Sequence, residues 1–121
     1  MAERRRLPET RNGKTHKMVI EDIYGGEMDL YIRTGEYEDG KLGEIFLGIG
    51  KHGGTLAAML DGWGEMVSVA LQHGVPLETI AQKFIGSNFP PQGRTSDGEN
   101  CTSLYDAIMK YLMREYLVPV S

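Results

Sequence analysis

The sequence predicts an α+β domain, a small antiparallel β-sheet of three or four strands packed by two or three C-terminal helices. Three observations carry that reading. Apolar and polar residues alternate through much of the first fifty positions; beyond Gly54 the apolar residues recur at three- and four-residue steps instead; and glycine or proline stands where the pattern changes. With 121 residues, 40% of them hydrophobic and 25% charged, the chain has material for one core.

Taken in order, residues 1–14 (MAERRRLPETRNGK) hold almost no apolar side chains and read as a flexible basic arm ahead of a single domain over 15–121. Arg4, Arg5, Arg6, Arg11 and Lys14 make it the basic end of an acidic protein. It is either a solvated tail or former linker, or an arm that folds over a neighbouring subunit or an anionic ligand. A first strand covers 16–24. After Gly25-Gly26, suited to a tight hairpin turn, the run 28–37 places Met28, Leu30 and Ile32 on one face and Asp29, Tyr31 and Arg33 on the other. Glu38-Asp39-Gly40-Lys41 is a second turn, and Gly43 to Gly50 a third, more buried strand. Short strands joined by tight turns make a meander.

From Thr55 to His73, the spacing of Leu56, Leu60, Trp63, Val67, Ala70 and Leu71 predicts an amphipathic helix, with Thr55 as N-cap and Gly74 as the C′ glycine. Pro76 opens a second helix from Leu77 to about Ile85, with Glu78 in the first turn, where the helix dipole favours a carboxylate. Residues 86–100 (GSNFPPQGRTSDGEN) read as a long loop, and a last helix runs from about Thr102 to Tyr116. Gly62 and Gly64 flank Trp63 inside the first helix, where each glycine costs about 1 kcal/mol. Close approach of another helix or another subunit would offset that cost, so a homo-oligomer is expected.

Composition excludes several function classes. A net charge of −4, from 13 Lys+Arg against 17 Asp+Glu, argues against nucleic acid as a partner. Cys101 is the only cysteine, so no internal disulfide forms; it reads as a packed structural thiol in a reducing compartment. No signal-type segment follows the basic start and no window approaches the roughly 18 apolar residues of a membrane span. A cytoplasmic protein with no membrane partner is therefore expected. His16, His52 and His73 lie on different elements with no HxxxH or CxxC spacing, so neither a metal nor a cofactor is expected. No nucleophile, base and orienting group fall together, so no catalytic residue is assigned. Asp29, Glu36, Glu38, Asp39 and Glu44 read as solvated surface carboxylates.

Two segments have the chemistry of a ligand site. Gly50-Lys51-His52-Gly53-Gly54-Thr55 joins the third strand to the first helix, and its exposed N–H groups and the helix N-terminus favour an anion. On spacing alone it is equally a flexible turn, and GxxxxGK[ST] is absent. The second is Asn88-Phe89-Pro90-Pro91-Gln92-Gly93-Arg94-Thr95, where Phe89 can stack on a base, Asn88 and Gln92 can read base edges and Arg94 can hold a phosphate.

Thr15-His16-Lys17, Tyr37-Glu38-Asp39-Gly40 with Gly43-Glu44-Ile45-Phe46, and Ala70-Leu71-Gln72-His73-Gly74-Val75-Pro76-Leu77 form one ordered pattern. Lys83-Phe84, Phe89-Pro90-Pro91-Gln92-Gly93 and Ser103-Leu104-Tyr105-Asp106-Ala107-Ile108 continue it. The pattern resembles the TSCPD domain near the C-terminus of vitamin B12-dependent ribonucleotide reductases, over roughly residues 7–117. Activity does not carry over: that reaction needs a large barrel, a radical cysteine and a redox cysteine pair, and the zinc-ligand cysteines that often follow the domain are missing too. As a stand-alone chain the sequence is similar to the phage anti-Thoeris sponge family, whose members assemble into oligomers and sequester cyclic ADP-ribose isomers and, in some cases, cyclic oligonucleotides. That resemblance implies a non-enzymatic binder of a small nucleotide-derived ligand, held by Asn88, Phe89, Arg94 and Thr95, with Lys51 and Arg33 also placed to contribute. The alternative it leaves is an accessory or regulatory module of a vitamin B12-dependent ribonucleotide reductase.

Overall fold

In the computed structural model, which describes residues 3–50 and 54–117, the alternating runs become β1 (Thr15–Asp22), β2 (Glu27–Glu36) and β3 (Leu42–Gly50). Each pairs antiparallel with the next, and the β2–β3 register shifts at Gly35/Glu36. Alternation sorts the side chains as the period of two requires. Met18, Ile20, Met28, Leu30, Ile32, Ile45 and Leu47 are buried on one face, while Lys17, Tyr31, Arg33 and Phe46 stand exposed on the other.

The helical pattern becomes α1 (Gly54–Gln72), α2 (Leu77–Phe84) and α3 (Leu104–Tyr116). Helix α1 starts one residue earlier than Thr55, which lies in its first turn and not at the cap. Its end follows the expectation: Gly74 has φ +89°, the Gly74 N–H donates to Leu71 O and the Val75 N–H to Ala70 O, the paired bonds of a Schellman stop. Helix α3 begins two residues later than Thr102, because Ser103 Oγ accepts the Asp106 N–H at 2.9 Å and caps it.

The stretch read as one long loop contains two further strands, β4 (Gly93–Thr95) and β5 (Asn100–Cys101), giving a five-stranded sheet in the order β3-β2-β1-β4-β5. Three and two residues are too few for a period to register. β4 becomes a strand because the free edge of β1 supplies partners, Ile20 for Thr95 and Glu21 for Arg94, and β5 because β4 in turn pairs Gly93 with Cys101 and Arg94 with Asn100.

Helices and inner sheet face close one core, with Ile20, Leu30, Ile32, Ile108, Met109 and Leu112 fully inaccessible. The outer edge of β3 is shielded by α1: Ser68 Oγ accepts the Ile45 N–H at 2.9 Å, and Gln72 Nε2 donates to Gly43 O at 3.1 Å. Covering an edge this way removes a template for strand addition. The two helix glycines part company here. A Cβ on Gly64 would stand 3.4 Å from Leu47, so the close approach is made by β3, whereas above Gly62 the space is open.

Residues 3–14 contain no helix or strand, and several bonds tie them down. The Arg5 N–H donates to Gln72 O, the Glu36 N–H to Asn12 O and the Thr34 N–H to Lys14 O. Arg11 grips Glu44 with Nε–Oε1 at 2.6 Å and Nη2–Oε2 at 3.2 Å. Glu44 is thus buried and ion-paired, not the solvated carboxylate its sequence position implied.

Candidate functional site

The expected ligand residues do not converge. In the 88–95 loop the two amide side chains engage each other, Gln92 Nε2 donating to Asn88 Oδ1, and the loop is fastened to the end of β1 by Ile23 N–H to Gln92 O at 2.7 Å. Phe89 joins a packed aromatic cluster, its ring edge-on to Tyr105 at 5.2 Å, while Tyr105 stacks on Trp63 at 4.3 Å and meets Phe84 edge-on. Thr95 is buried on the core side, and its Oγ1 has no hydrogen-bond partner among the described residues. Lys51 lies outside the described residues.

Arg94 and Arg33 differ from these four. Both are exposed, and neither makes an ion pair or hydrogen bond among the described residues. Both point to the sheet face that the helices leave open. Arg33 pairs across the sheet with Thr15 on one side and Phe46 on the other; Arg94 stands opposite Glu21, six residues further along β1. At roughly 3.3 Å per residue that is about 20 Å, too far for one mononucleotide to reach both.

Around Arg33 the open face forms a shallow cleft of about 510 Å³ lined by Gly13, Lys14, Thr15, Arg33, Thr34 and Phe46. Phe46 is 48% exposed and Tyr31, two residues along β2 from Arg33, is 38% exposed. Large apolar rings at such exposure are available for stacking. Beside them, Gly48 and Gly50, opposite Tyr31 and Asp29, leave the open face of that end of β3 without side chains, while Ile49 packs toward the core. The Lys14 ammonium turns toward the Tyr116 ring at 5.9 Å, so the guanidinium of this cleft is Arg33. Lys17 adds a second cation, 3.9 Å from Asp29 and 5.9 Å from the Tyr31 ring centre.

Phe46 had no separate signal in the sequence: inside Gly43-Glu44-Ile45-Phe46-Leu47 it reads as one more core residue. Two further constellations were equally hidden by sequence separation. His16 stacks on Tyr111 at 4.4 Å and bonds Asp97 through Nε2 at 2.8 Å; Asp97 also receives Arg114 at 2.6 Å. Asp106, 1% exposed, accepts the N–H groups of Gly86 and Thr102 and pairs with Lys110 at 2.9 Å. Burial pushes its carboxyl up, but the bonds from Gly86, Lys110 and Thr102 together hold it below the ordinary value of 3.8. Burial, and then the hydrogen bond to Glu36, raise the Tyr116 phenol strongly, and burial raises the Cys101 thiol. A buried thiol with a raised pKa is a poor nucleophile. Among the described residues no group of three or more His, Cys, Asp or Glu could hold a metal ion, and no helix is long and apolar enough to cross a membrane.

Comparison with known proteins places this geometry in a family. The TSCPD domain model matches residues 3–116. A vitamin B12-dependent ribonucleotide reductase of Bradyrhizobium diazoefficiens is 37% identical over 118 residues, covering 98% of this chain and 9% of the reductase. Its counterparts in Rhodopirellula baltica and Streptomyces clavuligerus are each 40% identical, covering 90% and 94% of this chain and 10% and 12% of theirs. The chain thus spans about a tenth of the length of these curated relatives. No solved structure matches.

Proposed function

The chain belongs to the TSCPD domain family, and from that premise we propose that it is a non-catalytic module that binds a nucleotide-type ligand on the open face of its sheet. The observation that carries this reading is Arg33, an exposed guanidinium without a partner among the described residues, paired across the two strands with the exposed ring of Phe46. A base lies on Phe46 or Tyr31 and a phosphate is held by the Arg33 fork, the pairing of stacking and charge that open β-sheets use for nucleotides.

Titration of the purified chain with dATP, cyclic ADP-ribose isomers and cyclic dinucleotides, followed by amide NMR, tests this. Saturable shifts are expected on β2 and β3, with Arg33→Ala and Phe46→Ala each weakening binding about tenfold. Ligand released by heat should be recovered intact. No saturable binding by any of these compounds, or hydrolysed ligand, sinks the reading. Its sharper form is a self-associating phage sponge for cyclic ADP-ribose-type signals. That form draws on the sequence resemblance alone and requires the cyclic isomers to bind far more tightly than dATP.

A second reading, an accessory or regulatory module acting on a vitamin B12-dependent reductase, is favoured by the 36–40% identity to segments of such enzymes. It expects dATP to bind better than the cyclic compounds, and the chain to change the activity of a reductase deprived of its own copy.

A further inference from the structure

A larger cavity, of about 640 Å³, lies at the opposite end of β2 from its start, under the N-terminal arm and away from the open sheet face. Its walls are the arm at Glu3 and Arg5, the β2–β3 turn, the α1–α2 junction and the end of α3. The size falls within the range of small-molecule sites. Its chemistry is layered. Leu42, Leu71, Val75, Leu77 and Leu117 give the floor an aliphatic surface.

The polar atoms near that floor are already committed. The Tyr37 hydroxyl donates to Arg5 O, and the Tyr116 hydroxyl is bonded to Glu36 Oε2 at 2.6 Å and to Thr34 Oγ1 at 2.7 Å. Gln72 accepts from Arg4 Nε at 2.7 Å and donates to Gly43 O. The side-chain polar groups of Tyr37, Gln72 and Tyr116 are thus taken up within the protein, and the Arg5 guanidinium already covers one face of the Tyr37 ring at 4.1 Å. The charged residues of the lining are all exposed: Arg5 and Lys41, neither in an ion pair among the described residues, together with Glu3 and Glu78.

We propose that this cavity binds a single-chain amphiphile with one anionic head, its hydrocarbon on the aliphatic floor and its carboxylate between Lys41 and Arg5. The arm supplies one wall and one of the two cations, so the ligand and the clamped arm stabilise each other. The site is separate from the nucleotide cleft around Arg33 and stands or falls without it.

The test uses the full chain with decanoate, decanol of the same length, and AMP as a polar anion. Decanoate is expected to give saturable amide shifts at Leu71, Val75 and Leu77 and to bind at least about tenfold more tightly than decanol, the gain from one charge-assisted contact. Lys41→Ala, at an exposed side chain that bonds to none of the described residues, should remove that preference while leaving decanol affinity unchanged. Val75→Glu, which puts a charge beside the floor, should abolish both. Equal affinity for decanoate and decanol, or a preference untouched by Lys41→Ala, overturns the anionic head. No saturation, shifts confined to other surfaces, or AMP binding here more tightly than decanoate overturns the site.

Discussion

The two faces of the sheet share one backbone and have opposite chemistry. On the covered face nearly every polar group that enters is answered: Asp106 by two N–H groups and Lys110, Ser103 by the Asp106 N–H, Ser68 and Gln72 by the edge of β3. On the open face, the Arg33 and Arg94 side chains have no partner among the described residues, and Phe46 and Tyr31 keep much of their ring surface in water. Satisfied polar groups beside close packing stabilise a fold; unsatisfied cations beside exposed rings contribute little to it. The difference separates the residues that make this domain fold from those available to a ligand.

The contrast breaks first at the core. Leu112 is fully inaccessible in the cluster with Ile108 and Ile20. Leu112→Ala should lower the unfolding free energy by about 2–5 kcal/mol, read as a shift in urea midpoint at unchanged slope. Asp106→Ala should cost somewhat less, about 2–3 kcal/mol, since it strands the Gly86 and Thr102 N–H groups but leaves Lys110 able to turn to water. A loss under about 1 kcal/mol would mean that the latch between the 86 turn and the start of α3 is not one.

Acid sharpens the same point. The folded Asp106 carboxyl is held below its ordinary 3.8, so its contribution is complete above that value and is lost as the pH falls below it toward the folded value. Between pH 5 and pH 2.5 the wild-type urea midpoint should therefore fall more steeply than that of Asp106→Asn, which has no such carboxyl to protonate. Parallel curves would assign the acid sensitivity to groups other than Asp106.

The parts of this fold legible in the sequence are those in which one face is buried along a whole element. Met28, Leu30 and Ile32 mark β2, and Leu60, Val67 and Leu71 mark α1, because burial imposes the period directly. The strands β4 and β5 were illegible because pairing makes them, β4 on β1 and β5 on β4, not any pattern of their own. The candidate site was half legible, and for a related reason. Arginine is rarely buried, so Arg33 and Arg94 could be read as available wherever the chain put them. An aromatic ring gives no such clue. Phe89, in a polar loop, looked free and is taken up by Tyr105; Phe46, in an apolar run, looked buried and faces water. Contacts such as His16 with Asp97, 81 positions apart, depend on the assembled sheet.

The smallest expected effect on stability is the one that decides what the open face is for. Arg33→Ala removes a side chain that bonds to none of the described residues, and such surface changes lie within about 0.5 kcal/mol. Its urea midpoint should match wild type, as Leu112→Ala and Asp106→Ala cannot. If Arg33→Ala is instead destabilising by more than about 1 kcal/mol, the guanidinium has a structural partner in solution and its exposure no longer points to a ligand. If stability holds and nucleotide affinity falls, the residue spends its interaction on the ligand alone. Arg94 then supplies the control. It is equally exposed and unpaired but about six residues along β1, so Arg94→Ala should leave both stability and binding in the Arg33 cleft unchanged.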